Sequence, residues 1–154
     1  MVRVGVLGPL SMEVDGRPVR LGGLVPRRLL AALVVDVGRV VSVDALVDRV
    51  WADEPPASAV RTLRVYVTRL RTALAAARPG ADTVIETAPP GYRLAVEADA
   101  VDAVLFGGLV ADARAALSAG DGPRAEVLLA DAFALWRGEP YGEFADTDFR
   151  MAER

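Results

Sequence analysis

Residues 58–94, SAVRTLRVYVTRLRTALAAARPGADTVIETAPPGYRL, read as a helix followed at once by a hairpin. Leu63, Val67, Leu70 and Leu74 fall within roughly 60° of one another on a helical wheel, and Ala59 and Ala77 flank them, so this face is expected to be buried. The opposite face carries Arg61, Arg64, Val65, Thr68, Arg71 and Thr72, with Thr62 and Arg69 on its edge. Ser58 is placed to cap the helix, which is expected to run to Arg78, and Pro79-Gly80 stops it. Thr83–Thr87 and Tyr92–Val96 then read as two strands joined by Ala88-Pro89-Pro90-Gly91.

The residues before this stretch supply the rest of a small α+β unit. Met1 to Leu21 alternates apolar and polar residues, with Val2, Val4 and Val6 on one face and a turn signal at Asp15-Gly16. This predicts two or three short antiparallel strands with a hairpin at Asp15–Pro18. Pro26 suits the first position of a helix whose buried stripe is Leu29, Leu30, Leu33 and Val34, ending at Gly38. Ser42 or Asp44 can cap a second helix running through Leu46, Val47 and Val50 to Trp51, and Trp51 is expected in the core. Three helices with the third one basic, followed by a hairpin, is the element order of a winged helix-turn-helix.

Charge sharpens this reading. Residues 55–81 hold five arginines, Arg61, Arg64, Arg69, Arg71 and Arg78, and no acidic residue, in a chain whose net charge is -3. Like charges at helical spacing repel, so a polyanionic partner is the simplest account, and DNA phosphates are the commonest. Residues 1–95 carry thirteen arginines against nine carboxylates, whereas residues 96–154 carry five against twelve. Opposite charge in the two parts points to two jobs.

Composition removes several function classes. The chain has no Cys and no His, and all 18 of its basic residues are Arg. Disulfides, thiolate metal sites and His-dependent triads are therefore excluded. No catalytic residue, metal site or cofactor is expected; Asp146 and Asp148 are a carboxylate pair with neither a nucleophile nor a phosphate loop nearby. With no secretory leader pattern and no apolar run long enough to span a bilayer, the expectation is a cytoplasmic protein without membrane contact.

Beyond Ala98–Asp102 the pattern is helical. Val104–Ala119 and Pro123–Arg137 read as a helix pair around Gly120-Asp121-Gly122, with Leu128, Leu129, Ala132, Leu135 and Trp136 on the apolar face of the second helix. The spacing is near the ~34-residue period of TPR-like repeats. One pair cannot bury its face alone. Asp146–Arg154 looks like the opening of another helix, so the expectation is a longer helical domain, the alternative being a pair packed on the N-terminal part. The fold expected is a winged helix-turn-helix over 1–97 followed by an all-α TPR-like segment over 98–154.

The segments RRLLAALVVDVGRVVSVDALVDRVW, DEPPASAVRTLRVYVTRLRTAL and GYRL resemble the OmpR-like winged-helix domain of the Streptomyces antibiotic regulatory protein (SARP) family. The pieces VDAVLFGGLVADARAALSAGD and AFALWRGEPYGEFAD look like the first part of the bacterial transcriptional activation domain that follows in that family. The resemblance implies a transcriptional activator binding promoter direct repeats and switching on antibiotic or secondary-metabolite genes. It implies a recognition helix at 58–78 in the major groove and a wing at 84–94. It implies that Thr62, Arg64, Val65, Thr68 and Arg69 face bases or flanking phosphates, that Arg71 contacts the DNA backbone, and that the loop Ala52–Ala57, with Asp53, Glu54, Pro55 and Pro56, faces RNA polymerase through its sigma or alpha subunit; Arg61 and Thr72 lie on the same basic face and are expected to bind DNA with them. A homodimer on DNA is a further expectation. Related wings often read TRGPGY with an arginine for the minor groove; here Pro89 holds that position, which leaves Arg93 to reach phosphate. Gly107-Gly108 falls mid-helix, where a kink is expected.

Each site has a plainer alternative. Arg69 and Arg71 can pair with Asp44 or Asp48; Arg61, Arg64 and Thr68 can simply be solvated. Val65 is a thymine-methyl contact or an isolated exposed apolar residue. Tyr92 packs the wing onto the third helix or reaches a phosphate, and Arg27-Arg28 touch DNA or water. The alternative for the whole arginine face is a protein-interaction module that binds an acidic protein.

Overall fold

The computed structural model describes residues 1–144. Strands β1 (Val2–Gly5), β2 (Ser11–Val14) and β3 (Arg17–Pro18) form an antiparallel sheet in sequence order, with Val2 opposite Val14 and Val4 opposite Met12. Alternation puts Val2, Val4, Met12 and Val14 into the core. Asp15 and Gly16 both have positive φ, 52° and 80°, the combination a two-residue hairpin of the right twist requires.

Helix α1 spans Leu24–Val35 and starts two residues before Pro26. Pro26 still lies in the first turn, where its missing N–H has no intrahelical acceptor to lose. Strand β4 (Val40–Ser42), not expected from sequence, leads straight into α2 (Val43–Trp51), where Ser42 Oγ accepts from the Ala45 N–H at 3.1 Å. Trp51 is half-buried against the core rather than enclosed. Helix α3 spans Ala59–Ala77 and buries Leu63, Val67, Leu70 and Leu74. Ser58 stands at its N-cap position but does not cap through its side chain; its Oγ lies 3.3 Å from Thr62 Oγ1.

After a 3-10 turn at Ala81–Val84 come β5 (Ile85–Ala88) and β6 (Gly91–Leu94). The second sheet has the order β4-β6-β5, all antiparallel, so the wing hairpin is a three-stranded structure with β6 in the middle. Gly91 makes this possible: a Cβ there would sit 1.8 Å from the Val41 carbonyl oxygen.

Helices α4 (Asp102–Ser118) and α5 (Gly122–Ala134) form the antiparallel pair. α4 runs unbroken through Gly107 and Gly108; both glycines are exposed, and a Cβ on either would meet nothing within 4 Å. α5 stops at Ala134, three residues early, because the chain turns back there to the first sheet. The Arg137 N–H donates to the Leu7 carbonyl (2.7 Å) and the Tyr141 N–H to the Val6 carbonyl (2.7 Å).

This return joins the two parts. Asp102 accepts from the Val6 and Leu7 N–H groups at 2.8 and 3.1 Å, and Glu143 accepts from the Leu10 N–H at 2.6 Å and from Arg27 at 3.0 Å. Val101, Tyr141 and Phe144 are buried in the same core as α1–α3. The seam between α4 and α5 is thin, made of Ala113, Ala116 and Ala125 with Leu128 and Leu129 beside them. The helix pair therefore packs on the N-terminal part; the further helix expected at Asp146–Arg154 lies outside the described residues. Among those described, no helix is long and apolar enough to cross a membrane.

Candidate nucleic-acid interface

α3 turns its apolar stripe inward because four large aliphatic residues recur along one side, and everything basic is thereby turned outward. Arg61, Arg64, Thr68, Arg69 and Thr72 are exposed, Thr62 is half-buried, and Val65 is 44% exposed, enough for its methyl groups to be met by a partner. Among the described residues Arg61, Arg64 and Arg69 make no ion pair, so neither Asp44 nor Asp48 neutralises the face. Thr68 and Thr72 donate back to the carbonyls of Arg64 and Thr68, at 3.1 and 3.0 Å. Their oxygens remain free to accept, for instance from a base amino group.

Two of the five arginines have other work. Arg78 pairs with Asp15 at 3.1 Å. The N-terminal ammonium of Met1 and Arg78 together hold the Asp15 carboxyl below its usual range. Arg71 donates through Nε and Nη2 to the Ile85 carbonyl (3.0 and 2.7 Å) and through Nη2 to Thr87 Oγ1 (2.9 Å), while its guanidinium lies 5.7 Å from the centre of the Tyr92 ring. Arg71 thus fastens the wing to α3. Tyr92 is buried, as the packing alternative requires.

Arg93, expected to reach phosphate, is paired across the hairpin with Glu86 through both Nε and Nη2. A carboxylate beside it offsets its charge and would repel a phosphate. Arg27 and Arg28 serve the fold: Arg27 binds the Gly22 and Leu10 carbonyls and Glu143, and Arg28 binds the Val50 carbonyl. Asp53, Glu54, Pro55 and Pro56 are all exposed in the loop between α2 and α3, away from any ion pair among the described residues.

Tyr66 was not singled out by sequence. Its half-buried ring lies beneath Arg69, with the guanidinium 5.1 Å from its centre, and this steers Arg69 across the outer face of α3. The signal was present as an i, i+3 aromatic–arginine pair on one helix.

The family description "Transcriptional regulatory protein, C terminal" matches residues 22–94, and "Bacterial transcriptional activator domain" matches residues 101–154. Transcriptional regulatory protein EmbR of Mycobacterium tuberculosis is 38% identical over 148 residues, which is 94% of this chain and 37% of EmbR. Regulatory protein DnrI of Streptomyces peucetius is 34% identical over 143 residues, 90% of this chain and 53% of DnrI. The chain belongs to the SARP family of transcriptional regulators.

The solved structure of M. tuberculosis EmbR in complex with a low-affinity phosphopeptide shares the fold with a TM-score of 0.89 and 35% identity, over 99% of this chain and 40% of that one. This SARP chain therefore spans well under two thirds of the length of EmbR. The winged helix followed by a helical segment, expected from element order, is the architecture the likeness supports.

Proposed function

We propose that this SARP chain carries the DNA-binding part of a sequence-specific transcriptional activator, with residues 1–97 as the winged helix-turn-helix and 98–154 as the start of the activation part. The carrying observation is the open face of α3, where Arg61, Arg64 and Arg69 stand without ion pairs beside Thr68, Thr72 and Val65. Affinity comes from arginine–phosphate contacts and counterion release, and sequence preference from α3 in the major groove. In this reading Val65 meets a thymine methyl, and Arg69 a guanine edge or flanking phosphate. Arg71 and Arg93 act through the wing they hold in shape. The targets are promoter direct repeats of antibiotic or secondary-metabolite genes, bound in the cytoplasm by one chain or by a homodimer.

Arg64→Ala and Arg69→Ala are expected to weaken binding to duplex DNA about tenfold each, with unchanged circular dichroism, a loss of ~1.4 kcal/mol per contact. Unchanged affinity in both variants would remove α3 from the interface. For the loop Ala52–Ala57 the proposed partner is a basic surface of RNA polymerase, on its sigma or alpha subunit, and its exposed Asp53 and Glu54 support that reading. The double variant Asp53→Ala, Glu54→Ala is expected to bind DNA normally and to give less transcript in vitro; equal transcript yield would end the loop's proposed role.

A further inference from the structure

The hairpin β2–β3 of the first sheet and the segment just after it carry two arginines, Arg17 in β3 and Arg20 two residues beyond it, that nothing above has used. Both are exposed, and neither makes an ion pair among the described residues. They line one side of an open cleft of about 420 Å³ whose other side is the C-terminal half of α3, including Arg69, Thr72, Ala73 and Ala76. Three arginines thus line one cleft with no carboxylate among its lining residues.

The two acids nearest in sequence do not relieve this. Asp15 is held by the Met1 ammonium and Arg78. Glu13 lines a different cleft, with Arg3 and Asp102. The arrangement is also held in place. Val14, Val19 and Leu21 anchor the hairpin in the core, and the Asp15–Arg78 pair ties its turn to the end of α3. Arginines gathered around a groove raise its positive potential, and a polyanion that enters gains from all of them. Small residues on the helix side let an extended backbone come close.

We propose that the DNA footprint continues from α3 onto this hairpin, with Arg17 and Arg20 gripping the sugar-phosphate strand that borders the major groove read by α3. The proposal rests on the reading of α3 as the recognition helix. The occupant is duplex DNA because the cleft is continuous with that face through Arg69 and Thr72, which belong to both. The contacts fix position and carry no sequence preference, since they reach phosphates rather than base edges.

The test compares salt slopes of binding to one 30-base-pair duplex for the unaltered chain, the double variant Arg17→Ala, Arg20→Ala, and Arg64→Ala, each checked by circular dichroism. With about 0.9 per phosphate contact, five open arginines give a slope near -4.5, and the hairpin double variant is expected to fall to about -2.7. Its affinity should drop by the same factor on random and on selected operator sequences. An unchanged slope in the double variant, with a shallower one in Arg64→Ala, would overturn the hairpin contact and leave the α3 reading standing. A loss confined to the operator would overturn it too, because phosphate contacts do not discriminate. No salt-dependent binding by the unaltered chain would bring down both readings.

Discussion

Arg71 lies on the basic face by sequence, yet its guanidinium is spent on the Ile85 carbonyl and Thr87 Oγ1 above the Tyr92 ring. One planar cation thereby joins helix, wing strand and wing aromatic. The consequence is a stability effect as well as a binding effect. Arg71→Ala is expected to cost about 1–3 kcal/mol, since hydrogen bonds from a charged donor are lost and a carbonyl loses its partner. Arg71→Lys should recover little of it, because a single ammonium cannot span both acceptors. Denaturant unfolding of the two variants checks this; full recovery by lysine would show that only charge matters. Arg61 and Arg64, by contrast, are open and should change binding without changing the unfolding midpoint. The difference between these arginines was not readable from spacing, because it depends on where the wing strand returns, some fifteen residues later in the chain.

Elements with strong local patterns were read closely from sequence. The four-residue aliphatic stripe of α3, the Asp15-Gly16 turn and the Ser42 cap each act within a few residues, so their physics is written locally. Strand β4 was missed because three residues have too little pattern of their own; Val40–Ser42 is a strand only because β6 lies beside it. Ser58 does not cap through its side chain: its backbone, at φ -106° and ψ 37°, lies outside the extended region that an N-cap residue usually adopts. In α4 the helix continues through the paired glycines, with open space outside. Their cost is therefore conformational freedom in the unfolded chain and lost helix propensity. Gly107→Ala and Gly108→Ala are each expected to stabilise by roughly 1 kcal/mol. A thermal scan that shows either variant less stable would mean that a close approach by another part of the chain requires the glycine.

At the scale of the molecule, the acidic helical pair and the basic winged helix share a core through Val101, Tyr141 and Phe144, and Asp102 and Glu143 bind backbone N–H groups of the Leu7–Leu10 segment. Sequence showed two charge regimes but not this joint, since its carboxylates lie about a hundred residues from their partners. Asp102→Ala leaves two part-buried N–H groups unpaired and is expected to cost about 2–4 kcal/mol. Amide exchange at Val6 and Leu7 should rise with it, while the α3 amides stay protected; unchanged exchange at Val6 and Leu7 would show that the joint does not depend on this carboxylate. The central claim is that the open arginine face of α3 meets DNA phosphates. The most direct measurement is fluorescence anisotropy of this chain with a random 30-base-pair duplex, titrated across salt. Arg61, Arg64 and Arg69 alone predict that log K falls against log salt with a slope of at least about -2.7. Flat or absent binding at low salt would contradict the claim and turn the search to another partner for the arginine face, such as an acidic protein.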